Sequence, residues 1–133
     1  LTVFVDASAL VAVINEESEA DAIEASMAAH AERLTSGIAI WETVRAMARI
    51  PGNSLETAER EVNGFLAVTG LRLVPIGAAE AAEALRAHAR YGKGTGHPAR
   101  LNMGDCFAYA CARTNGARLL YKGDDFSHTD LAR

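Results

Sequence analysis

Short apolar runs alternate along the chain with longer amphipathic stretches, and this alternation predicts strands separated by helices. Thr2-Val3-Phe4-Val5 is β-branched and aromatic and reads as a buried strand ending at Asp6. Ala7 to Ile14 follows as a helix, apolar on more than one face. Ser18 with Asp21 three residues on approximates a capping box for the next helix. Its apolar stripe runs Ala20, Ile23, Met27, Ala31 and Leu34. Leu34-Thr35-Ser36 is also a weak strand candidate, before a helix from Ile38 to Ile50 that Pro51-Gly52-Asn53 stops.

Ser54 caps a further helix, ended by Gly70, and Leu71 to Ile76 reads as a strand with Pro75 near its end. Residues 78–91 form an alanine-rich helix, and 92–98 a glycine-rich loop. Gly104-Asp105 opens a helix through Arg113, Asn115-Gly116 turns the chain, and Arg118 to Tyr121 is the last clear strand. Strands joined by helices, with no tight hairpin, imply an α/β fold with a mostly parallel central sheet. In such a sheet the ligand site lies beyond the carboxyl ends of the strands.

The length of 133 residues fits one domain, 1–133, and half the residues are apolar, enough for a core. Thirteen Lys and Arg against 17 Asp and Glu leave a net charge of −4, which argues against a general nucleic-acid coat. Cys106 and Cys111 lack the paired spacing of a zinc site. On a helix they stand about 140° apart, so they read as reduced core residues. No run of about 18 apolar residues predicts a membrane span, and Leu1 to Val5 reach Asp6 without a basic leader. The expectation is a cytoplasmic protein with no membrane partner.

The carboxyl-end rule sorts the acids. Asp6 directly follows the first strand, Asp124 and Asp125 follow the last, Asp105 stands at a helix start, and Glu42 lies early in the helix after the second strand candidate. These chain-distant positions map to one sheet edge. By contrast, Glu16, Glu17, Glu19, Asp21 and Glu24 crowd a helix start, where the dipole favours them, and read as a solvated face. Each edge acid also has a local role open to it. Asp6 and Asp105 have N-cap chemistry, Asp124 and Asp125 suit a turn after Gly123, and Glu42 can pair with Arg45.

Taken together, the edge acids repel one another, by on the order of 4 kcal/mol per pair at ~4 Å and a dielectric of ~20. Raised pKa values or a bound cation relieve that repulsion. Oxygen ligands without His or Cys suit Mg²⁺ or Mn²⁺ and phosphodiester hydrolysis. Ser8 is placed to cap a helix or to bond within the acid cluster, and Asn102 to cap a helix or orient Asp105. His128 stands too isolated for a metal triad. Between Arg86 and Arg100 lie Arg86, Arg90, Lys93 and Arg100, two histidines and no acid. This strip reads either as a grip on a phosphate backbone or as a solvated loop.

Val5-Asp6-Ala7-Ser8-Ala9-Leu10, Trp41-Glu42, Asn102 to Ala110 (NMGDCFAYA) and Tyr121 to Phe126 (YKGDDF), in this order, resemble the PIN-domain family, and within it the VapC ribonuclease toxins. The resemblance spans residues 3 to about 130. It implies a three-layer α/β/α sandwich and a Mg²⁺- or Mn²⁺-dependent endoribonuclease. Asp6, Glu42 and Asp105 match family acids, with Asp6 and Asp105 as direct metal ligands, and Ser8 and Asn102 match supporting polar positions. The fourth acid departs from the common T-x-D pattern, whose aspartate aligns with Gly123. The toxin branch places it at Asp125, with Asp124 as the alternative. The resemblance further implies an RNA substrate, a homodimer and a cognate antitoxin.

Overall fold

The computed structural model describes residues 1–131. In chain order the elements are β1 (Thr2–Val5), α1 (Ala7–Ile14), α2 (Ala20–Ala28), β2 (Glu32–Thr35), α3 (Gly37–Ala48) and α4 (Leu55–Thr69). There follow β3 (Arg72–Leu73), α5 (Ala78–Tyr91), α6 (Met103–Thr114) and β4 (Arg118–Leu120). The strands form one parallel sheet in the order β3-β2-β1-β4. The chain therefore leaves β1 toward β2 on one side and returns to β4 on the other. The sheet's switch point lies between β1 and β4, where a parallel sheet opens a crevice at its carboxyl edge.

Period-two alternation in β1 sends Val3 and Val5 to one face and Phe4 to the other. Val3 and Val5 pack with Ala9, Leu10, Val13, Ile23 and Met27 of α1 and α2. Phe4 packs with Leu34, Ala84, Ala87, Cys106, Tyr109 and Leu119, chiefly on the α5 and α6 side. Both sheet faces are thus covered by helices, giving three layers. Val44 and Met47 of α3 join Ala58 and Val62 of α4 in a further apolar cluster. Cys106 and Cys111 are buried and unpaired, as the spacing required.

Four local expectations are corrected. The Ser18 capping box is absent: Glu19 is the N-cap of α2 and its side chain accepts from no N–H of that helix, while the Ser18 hydroxyl donates to Glu19 Oε1 at 2.9 Å. The entry to α2 is set instead by the turn that ends α1, where Glu16 adopts φ 51° and the Glu17 N–H bonds the Ala12 carbonyl at 2.8 Å. Leu34 leaves the α2 stripe, because pairing of β2 with Phe4 outweighs its coincidence with the helical period. That strand begins at Glu32, and Ser36 is instead the N-cap of α3, accepting from the Ala39 N–H at 3.1 Å. At the sheet edge, β3 shrinks to two residues, with Pro75 two positions beyond and no N–H to extend the ladder.

Asp130 ties the α5–α6 layer to the C-terminal segment. The Tyr109 hydroxyl donates to its Oδ1 at 2.6 Å, and Arg113 meets its Oδ2 at 3.2 Å. Asp130→Ala strips partners from a buried tyrosine, so a loss of about 1–3 kcal/mol is expected. Urea denaturation checks this, and an unchanged midpoint would count against it.

Candidate active site

Local folding brings each acid to the carboxyl edge by an identifiable route. The chain leaves β1 through Asp6, whose N–H donates to the Leu120 carbonyl at 3.0 Å and extends the β1–β4 ladder by one bond. Asp6 is also the N-cap of α1: the Ser8 N–H and hydroxyl both donate to its Oδ2, at 3.0 and 2.6 Å. Ser8 Oγ in turn accepts from the Lys122 N–H at 3.0 Å, which links the acid after β1 to the loop after β4. The capping role and the site role of Asp6 are therefore compatible, and Ser8, second in α1, does not cap a helix but bonds within the acid cluster.

Asp105 stands at the third position of α6, not at its cap. Asn102 is the cap, and the two form a reciprocal box. The Asp105 N–H donates to Asn102 Oδ1 at 2.9 Å and the Asn102 N–H to Asp105 Oδ2 at 3.1 Å. Asp105 Oδ1 accepts from no described residue. The box thus fixes the carboxylate while leaving one oxygen for another partner.

Asp6, Glu42, Asp105 and Asp125 converge on a cleft of about 420 Å³ that Ser8 also lines. Asp6 and Asp105 are buried, at 4% and 8% exposure, Glu42 is intermediate and Asp125 exposed. Burial, reinforced by the charge of Asp6, pushes the Glu42 carboxyl up to about 7. Burial does the same to Asp105, up to about 7, with Asp6, Asp125 and Glu42 adding to the rise and the Asn102 N–H opposing it. Burial also raises Asp6, against the Ser8 bonds. These are the shifts expected where carboxylates gather without enough positive charge.

A second opening of about 340 Å³ shares Asp105 and Asp125 with the first and adds Lys93, Arg100, Asp124 and His128. The cationic strip is therefore divided. Lys93 and Arg100 line the opening that Asp105 and Asp125 share, on a glycine-rich loop pinned at its base, with the Lys93 N–H on the Leu101 carbonyl and the Leu101 N–H on the Tyr91 carbonyl, each at 2.9 Å. Arg86 instead pairs with Glu83 at 2.7 Å, and Arg90 sits over the Tyr91 ring at 4.7 Å and 4.0 Å from Asp130. Neither of these lines the two openings. Asp124 holds the turn, its carbonyl accepting from the Ser127 N–H and hydroxyl.

Two site residues were missed in sequence. Lys122 and Glu17 both line the acidic cleft, where the Lys122 ammonium pairs with Glu17 and stands 3.8 Å from Glu19. The Lys122 contact is the first cause of a lowered Glu17 pKa. Glu17 and Glu19 are thus not merely a solvated face. The position of Lys122 immediately after the last strand was the one available signal, since it obeys the same edge rule as Asp6.

The donor set suits a hard divalent cation: carboxylate oxygens, two of them buried and all three resolved shifts upward. Among the described residues, no three His, Cys, Asp or Glu side chains form a ready-made metal cage. Mg²⁺ does not require one, since it commonly takes one or two protein carboxylates and keeps its waters.

The sequence matches the family described as PIN domain over residues 3–131. It is 39% identical to a VapC ribonuclease of Rhizobium meliloti over 96% of this chain and 98% of that protein. It is 41% identical to ribonuclease VapC30 of Mycobacterium tuberculosis, over 96% and 95% of the two chains. The chain belongs to the PIN-domain family, in its VapC-type branch. The fold agrees with a solved PIN-family structure: Mycobacterium tuberculosis VapC20, described as a toxin cleaving the sarcin-ricin loop, superimposes with a TM-score of 0.73 at 20% identity, covering 94% of this chain and 92% of that one. No helix among the described residues is long and apolar enough to cross a membrane.

Proposed function

We propose that this VapC-type chain is a divalent-metal-dependent endoribonuclease, the toxin of a toxin–antitoxin pair. The observation that carries the reading is the convergence of Asp6, Glu42, Asp105 and Asp125 on one cleft, with Lys93 and Arg100 at the adjoining opening. The ribonuclease names of its relatives supply the substrate class. Asp6 and Asp105 are the metal ligands in this reading, each held on one carboxylate oxygen, Asp6 by the Ser8 N–H and hydroxyl and Asp105 by the Asn102 N–H. Mg²⁺ or Mn²⁺ bound there would supply a more acidic water and offset charge on the scissile phosphate.

The chain's own groups do the rest. Glu42, with its carboxyl near neutrality, takes the proton from the attacking water, and Asp125 orients that water from the far side of the chain. The Ser8 and Asn102 donors keep Asp6 and Asp105 from turning away. Lys93 and Arg100 hold the flanking phosphates, a task the acidic cleft could not perform. A homodimer and a cognate antitoxin complete the reading, and exposed Trp41, Leu55, Leu85 and Met103 leave apolar surface for such partners.

Cleavage of an RNA panel with and without Mg²⁺ tests the function. Metal-dependent internal cuts are expected, and an equal yield in chelator overturns the metal role. The alternative is an inert PIN-like binder of RNA or protein. Calorimetric titration with Mn²⁺ separates the two, since the inert reading expects no heat.

The divided strip makes its own prediction. Lys93→Ala and Arg100→Ala each lower RNA affinity and reduce the salt slope by about 1, whereas Arg86→Ala changes neither. Filter binding across a salt series to a metal-free, non-cleaving Asp105→Asn protein measures this. Equal losses at all three positions would restore an undivided strip.

A further inference from the structure

Gly104 of α6 is buried, and its φ does not lie in the left-handed region, so the backbone itself has no need of glycine there. As the second residue of α6 it stands in the first turn, where alanine is equally open to the backbone. What surrounds the missing side chain explains it. A Cβ at Gly104 would collide with all three carboxylate atoms of Glu42, closer than any real contact allows. Glu42 comes from α3, 62 positions earlier, and its carboxylate makes no hydrogen bond with a described residue. It keeps its place by filling the space that glycine leaves beside Asp105. The other glycines in helices, Gly37 of α3 and Gly64 of α4, have nothing within 4 Å of an added Cβ.

We propose that Gly104 is a positioning residue for the active site, its bare Cα forming the seat that sets the Glu42 carboxylate beside Asp105. This rests on the ribonuclease reading for its catalytic consequence, but the seating itself is independent of it. Because the colliding atoms are the end of a flexible side chain, Gly104→Ala leaves the fold intact and turns the Glu42 carboxylate away. A displacement of this kind near the reacting atoms costs up to about 10²-fold in rate. Shortening the side chain by one methylene, in Glu42→Asp, withdraws the carboxylate from the added methyl.

The test compares the parent, Gly104→Ala, Glu42→Asp, the double variant and the control Gly64→Ala. Steady-state cleavage of a short RNA in Mn²⁺, thermal melting and crystal structures are the readouts. Gly104→Ala is expected to lower kcat by about 10- to 100-fold with KM nearly unchanged and melting temperature not reduced. Its structure shows the Glu42 carboxylate displaced, and Gly104→Ala costs less in the Glu42→Asp background than in the parent, a coupling that contact explains. Gly64→Ala cleaves like the parent. A Gly104→Ala protein with parental kcat, an unmoved Glu42 carboxylate, or a Gly104→Ala loss as large in Glu42→Asp as in the parent overturns the proposal. A parent that cleaves no RNA overturns the ribonuclease reading instead, and the crystal structures still decide the seat.

Discussion

Asp105→Asn is expected to lower kcat for RNA cleavage by on the order of 10²–10³-fold while making the metal-free protein more stable. Both effects have one source. Asp105 is buried beside Asp6, Glu42 and Asp125, and its carboxyl is pushed up to about 7, so its negative charge is costly in the empty site. Asparagine keeps an oxygen for the Asn102 N–H, so the capping box that starts α6 survives. What it removes is the anionic oxygen that a cation would use. The gain in metal-free stability near pH 8 is about 2 kcal/mol at most, after allowance for partial solvation. Asp6→Asn behaves alike in activity, and the surface variant Asp21→Asn changes neither property. Single-turnover cleavage and urea denaturation of the same preparations measure the pair of effects. A variant that cleaves like the parent removes Asp105 from the site, and a destabilised variant means the carboxylate was structural.

The second large effect is the response of the metal-free protein to pH. Glu42 and Asp105 have ordinary values of 4.5 and 3.8, and both rise to about 7 on folding. Between these limits the folded state binds more protons than the unfolded one. Stability therefore falls as pH rises from about 4 through 7, and levels off above that. The Glu17 carboxyl, lowered chiefly by its Lys122 contact, acts oppositely, but its contribution is complete once pH exceeds its ordinary 4.5. The melting temperature in chelator should thus fall between pH 5 and 8. Mn²⁺ at about 100 times its Kd should restore about 2.7 kcal/mol at pH 8. The double variant Glu42→Gln/Asp105→Asn should lose most of both responses. A flat or rising profile in the metal-free parent would show that the cluster carries no stored repulsion.

Much of the fold was legible because its signals are short-range. Phe4 flanked by Val3 and Val5 declares a strand with two buried faces, and only a helix-covered parallel sheet accommodates that. Asn102 was legible as a cap or an orienter of Asp105 and proves to be both, whereas Asp105, read with N-cap chemistry, stands at the third position of α6. The edge rule then gathered Asp6, Glu42, Asp105 and the pair Asp124 and Asp125 without knowledge of any distance. Where two periods coincide the reading failed: Leu34 satisfies the helical stripe of α2, but its pairing opposite Phe4 makes it a strand residue. Glu32 and Arg33 lack strand composition and pair because β1 is already there.

By itself, then, the sequence determined the element types, the family and which carboxylates sit at the carboxyl edge, since these follow from local spacing and chain order. Tertiary structure alone decided which charges act together. Glu17 and Lys122 meet across 105 positions, Arg86 and Arg90 are drawn aside by Glu83 and Asp130, and Lys93 and Arg100 remain beside the acids. It also decided that a glycine of α6 touches a glutamate of α3. Electrostatic and steric contacts depend on separations of a few ångströms in space, and no pattern along one dimension encodes those directly.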